Sequence, residues 1–232
     1  MKILIIVPAY NEQLSIASVI LSVRKWHPNV DVLVVNDGSI DDTSLVARNT
    51  QQAIVIDLPV NLGIGGAVQT GYIYANRNDY DIAVQIDADG QHDPADLEKV
   101  IKIVAEKEAD CCIGSRFVEK TNYKSSLFRK VGINFFSNMI KIVCNVKITD
   151  PTSGFRSVNK NVISIFANYY PDDYPEVEAI VLLKKMGFCV KEISVAMHDR
   201  TTGKSSITPL KSMYYMIKVS LAVIMTRIRN VS

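Results

Sequence analysis

Short apolar runs rich in β-branched residues recur along the first half of the chain, at residues 3–7, 32–35, 53–56 and 82–86. Each run is followed by a polar turn and then by apolar residues at helical spacing, such as Ile16, Val19, Ile20 and Val23. Strands that alternate with helices in this way favour a parallel sheet covered by helices on both faces. The pattern therefore predicts an α/β protein.

The pattern changes in the second half of the chain. It predicts a strand at 111–114, a long basic helix at about 126–143, a turn at 150–154, a helix at 176–185, a strand at 190–195 and a last helix from residue 208. The sequence contains no internal repeat and no linker-like tract. We therefore expect one domain over residues 1–232 with a divided sheet.

Composition narrows the class of protein. The 232 residues are 48% hydrophobic, so we expect a folded globular protein. The 26 basic and 24 acidic residues leave a net charge of +2, so no overall positive electrostatic field points to nucleic acid. The four cysteines form no CxxC pair, which favours reduced core thiols in a cytoplasmic protein over zinc or disulfides. No apolar run approaches the length of a membrane span.

Polar clusters follow three of the predicted strands, at residues 8–12, 36–39 and 87–89. In open parallel sheets, ligands bind outside the carboxyl ends of the strands. The segment Asp37-Gly38-Ser39 alone is a good turn and needs no function. Three such clusters at one edge of the sheet instead indicate a binding site.

Asp87 and Asp89 are two residues apart, so a strand that continued through them would place both carboxylates on one face. Two close negative charges need a cation, and hard oxygen ligands with open positions suit Mg²⁺ or Mn²⁺ on a substrate diphosphate. Gln91 could add a carbonyl oxygen, whereas His92 and Asp93 could equally shape the turn before Pro94. The alternative is an ordinary surface acid pair.

Seven stretches together carry a family resemblance: 7-VPAYNE-12, 34-VVNDGS-39, 61-NLGIGGAVQTGY-72, 87-DADGQHDP-94, 114-GSRF-117, 150-DPTSGFR-156 and 200-RTTGKSSI-207. In them the chain resembles the family-two glycosyltransferases of GT-A (Rossmann-like) fold, in the branch of dolichyl- and polyprenyl-phosphate sugar synthases. The resemblance implies an inverting, metal-dependent hexosyltransferase with a UDP- or GDP-sugar donor. It divides the domain into a nucleotide-sugar half (1–117), an acceptor half (118–207) and a basic amphipathic helix (208–232).

The resemblance also implies roles for individual residues. Those expected around the base and ribose of the donor are Pro8, Ala9, Tyr10, Glu12 and Asp37, and those expected to hold the metal are Asp87, Asp89 and Gln91. The loop with Arg200 and Lys204 would close over the diphosphate, where both cations and Asp89 would take part in catalysis. Arg116 is a further candidate for substrate binding. Arg116 and Arg156 could equally be structural arginines that pair with Asp150 or another acid.

The glycine-rich loop 61–66 does not match GxGxxG and is not followed by an acidic residue about twenty positions later at the end of a strand. A dinucleotide-binding site is therefore rejected. The resemblance places this loop beside the nucleotide pocket, and the glycines could equally let a helix start close to the sheet.

Two segments, 120–149 and 204–232, contain basic but no acidic residues, interleaved with apolar ones. Such helices can lie in an anionic membrane interface, although their apolar stripes could equally be core. Together with the resemblance, they indicate a lipid-phosphate acceptor, with Arg129 and then Lys130 as candidates for its phosphate. We expect peripheral contact with the cytoplasmic face of a membrane, in which a small membrane protein partner could assist, and no nucleic acid partner.

The expected reaction is a single in-line displacement with inversion at the anomeric carbon. A phosphate acceptor needs no protein base, whereas a sugar hydroxyl would need a carboxylate, for which Glu176 is the first candidate and Glu178 the second. Three other hypotheses remain for the function of the protein. It could be a glycosyltransferase that extends a polysaccharide or lipid-linked saccharide at a hydroxyl, a nucleotidyltransferase, or a non-catalytic membrane-binding module.

Overall fold

The computed structural model describes residues 1–119, 127–172, 175–197 and 209–228. Within α5 and α8, defined below, the side chains of residues 127–129, 209–215 and 228 fall outside this description.

Seven strands of the described residues form one sheet, in the order β3-β2-β1-β4-β6-β5-β7. The strands are Ile3–Ala9 (β1), Asp31–Asn36 (β2), Ile54–Asp57 (β3), Ile82–Gln85 (β4), Cys111–Ser115 (β5), Arg156–Asn159 (β6) and Val190–Ser194 (β7). The first four strands pair in parallel, as do β5 and β7. Strands from both predicted halves of the chain therefore hydrogen-bond into the same sheet.

The strand β6 divides the sheet, because it runs antiparallel to both β4 and β5. Neither β6 nor the helix that follows it was expected from the sequence, which predicted only a turn at 150–154 in this region. The four residues of β6 include a charged arginine and show no clear alternation, so its pairing is set by neighbours that are distant in sequence.

Helices cover both faces of the sheet, so the predicted α/β architecture is confirmed. One face packs against Ile16–Trp26 (α1), Thr43–Asn49 (α2) and Leu97–Ala105 (α4), the last entered through a 3₁₀ turn at Pro94–Asp96. The other face and its core contact Gly63–Arg77 (α3), Leu127–Cys144 (α5), Lys160–Asn168 (α6), Pro175–Lys185 (α7) and Pro209–Ile228 (α8).

The central strand β1 shows how the sequence builds this core. Leu4 and Ile6 belong to the cluster under α3, whereas Ile5 and Val7 belong to the cluster under α1. Successive side chains of a strand point to opposite faces, so a continuous apolar run fills both cores at once. This arrangement leaves the carboxyl ends of the strands as the exposed polar edge.

Among the helices described, we find none that is both long enough and apolar enough to cross a membrane.

Candidate active site

Two loops interlock at the carboxyl ends of β1 and β2. The backbone N–H of Asn11 donates to Ser39 Oγ at 2.9 Å, and that of Glu12 donates to Thr43 Oγ1 at 2.8 Å. In return, the side chain of Asn11 accepts from the N–H of Ile40 at 2.9 Å. These reciprocal bonds fix the loop 10–13 against the loop 37–43.

Five predicted donor-binding residues lie in or beside these loops. Pro8 and Ala9 are the last two residues of β1 and are buried, whereas Tyr10 is 48% exposed. Asp37 is buried, and its Oδ1 accepts from the N–H of Leu62 at 2.7 Å. Glu12 accepts from Ser15 Oγ at 2.7 Å, at the start of α1. The structure thus brings all five to one edge.

The acid turn, residues 87–92, lies at the carboxyl end of β4, next to β1 in the sheet. The strand β4 ends at Gln85, so the expectation that Asp87 and Asp89 extend from a continuous strand is wrong. Gly90 in this turn has a φ of 76°, which an L residue rarely adopts, and this reverses the chain directly after Asp89. The two aspartates are therefore placed by a turn and not by strand periodicity.

Hydrogen bonds orient both aspartates of the acid turn. Asp87 Oδ2 accepts from His92 Nε2 at 2.9 Å, and Asp89 Oδ1 accepts from the N–H of Gln91 at 3.0 Å. The side chain of Asp87 is 36% exposed, whereas Asp89 is buried. Within the described ranges, no group of three or more His, Cys, Asp or Glu side chains could hold a metal ion. Two carboxylates leave positions open on a divalent cation for substrate oxygens and water.

Gly154 leaves room for Asp87. A Cβ at this position would lie 2.9 Å from Asp87 Oδ1 and 3.1 Å from Gln85 Nε2, closer than atoms at van der Waals contact. The turn 150–154 that the sequence predicted therefore packs directly beneath the acid turn.

Arg116 and Asp150 form a buried, bidentate ion pair. Arg116 Nε lies 2.5 Å from Asp150 Oδ2, and Arg116 Nη2 lies 2.6 Å from Asp150 Oδ1. The Asp150 side chain is 0% exposed, and that of Arg116 is 9% exposed. This geometry matches the structural alternative for Arg116, because the fork of the guanidinium is directed at a protein carboxylate. Its contact with the donor stays a prediction.

Arg156 is buried differently. Its Nε and Nη2 donate to the backbone carbonyls of Ser153 and Pro151 at 2.9 and 3.1 Å, and the residue is only 1% exposed. Among the described residues, no carboxylate lies within ion-pair distance of it. Its positive charge nonetheless acts on Glu176, in the first turn of α7.

Glu176 is partly buried, and burial raises the pKa of its carboxyl group above the ordinary value. The charge of Arg156 opposes this rise in pKa, and the negative charge of Asp87 adds to it. Burial is the main cause of the raised pKa of Glu176, and the charge of Asp87 in the acid turn contributes least.

Glu178, the second candidate base, has a different environment. Its Oε1 accepts from Thr226 Oγ1 of α8 at 2.6 Å and from Tyr169 Oη at 3.3 Å. Lys185 Nζ also donates to the carbonyl of Thr226 at 2.8 Å. Glu178 therefore holds α8 against α7.

Three of the predicted site residues cannot be placed. Arg200 and Lys204 lie outside the described residues, as does the side chain of Arg129. Lys130, the second candidate for the acceptor phosphate, is exposed on α5. The last described segment before Arg200 ends at Met197, which pairs with His92 of the acid turn in an isolated β-bridge.

Sequence reasoning missed two residues that contact Asp87, namely His92 and Gly154. Both stand in the stretches that carry the family resemblance, 87-DADGQHDP-94 and 150-DPTSGFR-156. That shared occurrence was the available signal, because neither the burial of a histidine nor the proximity of a distant glycine follows from local pattern. Asp93, by contrast, accepts from the N–H of Ala95 at 2.9 Å and caps the 3₁₀ turn.

The family model described as glycosyl transferase family 2 matches residues 4–166, which include the donor-site loops, the acid turn and β6. The chain belongs to this family. As a glycosyltransferase, it is an enzyme, and neither a nucleotidyltransferase nor a non-catalytic membrane-binding module describes it. The resemblance drawn from the seven stretches is thereby confirmed.

Two curated relatives match this glycosyltransferase over most of both chains. A UDP-N-acetylglucosamine–dolichyl-phosphate N-acetylglucosaminyltransferase of Methanococcus voltae is 29% identical over 83% of this chain and 84% of its own. A polyprenol monophosphomannose synthase of Mycolicibacterium smegmatis is 28% identical over 94% of this chain and 86% of its own.

Among solved structures, a glucosyl-3-phosphoglycerate synthase from Mycobacterium tuberculosis superposes with a TM-score of 0.74 at 18% identity. The match covers 97% of this glycosyltransferase and 78% of that chain, which was crystallised with Mn²⁺, uridine diphosphate and phosphoglyceric acid. At this identity the likeness establishes the fold alone, which is the expected GT-A fold.

Proposed function

We propose that this glycosyltransferase moves a sugar from a UDP- or GDP-sugar to a polyprenyl or dolichyl phosphate, with inversion at the anomeric carbon. The observation that carries the proposal is the convergence of residues 8–12, Asp37 and the acid turn at one sheet edge of a family 2 chain. The two curated relatives, whose names specify dolichyl phosphate and a polyprenol, support the class of acceptor.

The nucleoside of the donor would lie against the interlocked loops. The half-exposed ring of Tyr10 offers a flat apolar surface for a base. Asp37 uses Oδ1 for the N–H of Leu62, and an ionised carboxylate with two oxygens has capacity for further donors from a base or ribose. The fixed loops would therefore bind the nucleoside without reordering.

The acid turn fits a hard divalent cation. Asp87, Asp89 and the side-chain carbonyl of Gln91 are oxygen donors, and Mg²⁺ or Mn²⁺ commonly takes one or two protein carboxylates, with substrate phosphates and water completing the shell. Such an ion would neutralise charge on the leaving nucleoside diphosphate.

The chain's own residues would carry the rest of the reaction. An acceptor phosphate oxygen is already anionic, so it can attack the anomeric carbon without a protein base. We propose that Arg200 and Lys204 stabilise the leaving diphosphate. Arg200 follows Met197 by three residues, and three residues span at most about 11 Å. Met197 itself pairs with His92 of the acid turn in an isolated β-bridge, which supports this role.

The acceptor side is supported by the outer stripes, which we define as Val131, Phe135 and Ile142 on α5 and Ile217, Leu221, Ile224 and Met225 on α8. All seven are 40% or more exposed. On each helix they lie on the face opposite the buried residues, such as Phe136 and Val223. Apolar residues on both faces of a helix indicate a second apolar partner.

A membrane is the partner that fits the outer stripes. Neither α5 nor α8 contains an acidic residue, and exposed Lys130, Lys141 and Arg227 accompany the stripes. Basic residues next to apolar ones favour an anionic lipid surface, at about 1 kcal/mol per basic residue. We propose peripheral contact with the cytoplasmic face, where a small membrane protein partner could assist.

A sugar hydroxyl is the second candidate acceptor. The raised pKa of Glu176 and its coupling to Asp87 favour a general base at this point. Extension of a polysaccharide or lipid-linked saccharide would use the same donor site and require this carboxylate.

Incubation with a panel of nucleotide-sugars tests which class of acceptor the enzyme uses. Purified protein is incubated with radiolabelled UDP- and GDP-sugars, Mn²⁺ or Mg²⁺, and vesicles that contain polyprenyl phosphate. We expect an organic-extractable product that mild acid cleaves, because a sugar phosphodiester of this kind is labile, and we expect Glu176→Gln to retain most of the activity. Product that appears solely on a saccharide hydroxyl, and that requires Glu176, would establish the second candidate.

Substitution of the acid turn tests the donor site. Asp89→Ala should reduce transfer by at least about a hundredfold, since it removes stabilisation of the developing charge. Asp93→Asn is the matched control, because it removes a negative charge four residues away while keeping the oxygen that caps the 3₁₀ turn. Full activity of a folded Asp89→Ala variant would exclude the metal assignment.

A further inference from the structure

His92 is the last residue of the acid turn, and its backbone pairs with Met197. Its Nε2 lies 2.9 Å from Asp87 Oδ2, and its side chain is only 4% exposed. A carboxylate oxygen accepts hydrogen bonds, so Nε2 carries the proton in this contact. The buried N–H of His92 therefore donates to one specific oxygen of Asp87, Oδ2.

The imidazole is fixed by contacts on other sides. Its ring packs on Phe155 with 5.0 Å between centroids, and its backbone forms the β-bridge with Met197. Nearby, a carboxylate oxygen of Asp96 accepts from the N–H of Ala196. The position of Nε2 is therefore set by the packed scaffold and not by the acid turn alone.

Asp87 is restrained through one carboxylate oxygen and has room beside the other. Oδ2 accepts from His92, and Oδ1 faces the space that the missing side chain of Gly154 leaves, 2.9 Å from where a Cβ would stand. A rotation of the carboxylate would break the hydrogen bond from His92. The conformation of a 36% exposed side chain is thus held before any ligand arrives, which lowers the entropic cost of binding.

We propose that His92 is a positioning residue that holds the carboxylate of Asp87 in the orientation required for a divalent cation bound with a nucleoside diphosphate. The proposal rests on the donor site of the proposed function. Hydrogen-bonding partners that orient metal ligands typically contribute 10–100-fold to metal affinity. His92 also joins that carboxylate to the 195–197 segment, so the acid turn and the start of the loop with Arg200 share one support.

Two variants separate the hydrogen bond from packing. His92→Phe keeps an aromatic ring against Phe155 and removes the donor, whereas His92→Gln supplies an amide N–H near the position of Nε2. Binding of Mn²⁺ is measured by electron paramagnetic resonance with saturating UDP and, separately, GDP. Thermal unfolding without metal is measured in parallel. We expect His92→Phe to weaken Mn²⁺ binding about tenfold and His92→Gln to restore most of it.

The outcomes distinguish this inference from the proposed function. Mn²⁺ affinity of a folded His92→Phe variant equal to that of the wild type would overturn the positioning role and leave the donor site intact. A wild-type protein that binds no Mn²⁺ with either nucleotide would overturn both proposals. If His92→Phe does not fold, His92→Asn, whose amide is too short to reach Nε2, is compared with His92→Gln. Equal affinity in that pair would also overturn the role.

A double-substitution cycle provides an independent readout. If His92 acts through Asp87, then adding His92→Phe to Asp87→Asn should weaken Mn²⁺ binding little beyond the effect of Asp87→Asn alone. Fully additive losses would show that His92 acts by another route and would overturn the proposal.

Discussion

The donor edge and the outer stripes differ in which side chains they expose and in how those side chains are paired. At the donor edge, which comprises the carboxyl ends of β1, β2 and β4 with their loops, nearby polar groups bond to each other, as Asn11 does with Ser39 and Asp87 with His92. On α5 and α8, apolar side chains such as Ile142 and Met225 are 83% and 65% exposed. One region is built for a small polar ligand of fixed shape, and the other presents a surface suited to a broad apolar partner.

The difference also indicates where specificity resides. A preorganised polar site discriminates strongly, because a wrong ligand leaves buried groups unpaired. An apolar surface with scattered cations tolerates variation in its partner, because burial of apolar area is non-directional. We therefore expect strict recognition of the donor and looser recognition of the lipid tail.

The largest expected effect comes from breaking the buried ion pair beside the donor edge. Arg116→Met leaves Asp150 charged and fully buried, which should lower the free energy of unfolding by about 3–5 kcal/mol. Arg48→Met is the matched control, because it removes an arginine from the exposed pair with Asp57 and should cost about 0–1 kcal/mol. Urea denaturation of both variants decides the matter, and equal losses would contradict the structural role assigned to Arg116.

The next largest effect is expected on membrane binding, when exposed apolar residues of α8 are replaced. Leu221→Ser with Met225→Ser removes two exposed apolar side chains of α8 and should weaken binding to anionic vesicles about tenfold, since each loses part of the 1.5–3 kcal/mol that full burial of such side chains contributes. Vesicle co-sedimentation measures the change, with thermal unfolding expected to stay nearly the same.

Ile40→Ser is the control for that experiment. Ile40 is 90% exposed and belongs to a loop of the donor edge, away from the outer stripes. The Ile40→Ser variant should bind anionic vesicles as well as the wild type does. An equal loss in both proteins would mean that exposed apolar residues contribute without regard to position, and the outer stripes would then not be a specific membrane surface.

Much of the donor edge was visible in the sequence. The runs that became β1, β2 and β4 are apolar and β-branched, and polar residues at their ends follow directly from the topology of a parallel sheet. What stayed hidden depends on residues far apart in the chain. Arg116 could be assigned either to the donor or to a structural pair, and its pair with Asp150, 34 positions away, is visible only in the structure. The strand β6 was not expected, and it is a strand because β4 and β5 flank it. Local pattern carries no information about such partners.

A smaller effect should follow from filling the space beneath Asp87. In Gly154→Ala the new Cβ would stand 2.9 Å from Asp87 Oδ1, and the end of that side chain can move away. Stability should therefore fall by about 1–2 kcal/mol, while Mn²⁺ affinity with UDP or GDP falls severalfold. Gly132→Ala on α5, where a Cβ meets nothing within 4 Å, should raise stability by about 0.5–1 kcal/mol through helix propensity and leave Mn²⁺ affinity unchanged. Unchanged Mn²⁺ binding by Gly154→Ala would show that the orientation of Asp87 is not limiting.

The smallest effect concerns Glu176 and depends on pH. Burial raises the pKa of this carboxyl group above its ordinary value of 4.5, so the folded state holds the proton more tightly than the unfolded state does. The resulting stabilisation is complete below about pH 4.5 and is lost as the pH rises through the raised pKa. Glu176→Gln cannot ionise, so it should unfold about 2 °C above the wild type at pH 7 and show a smaller advantage at pH 4. Thermal unfolding at both values tests this, and an advantage that is larger at pH 4 would reverse the sign and refute the buried environment of Glu176.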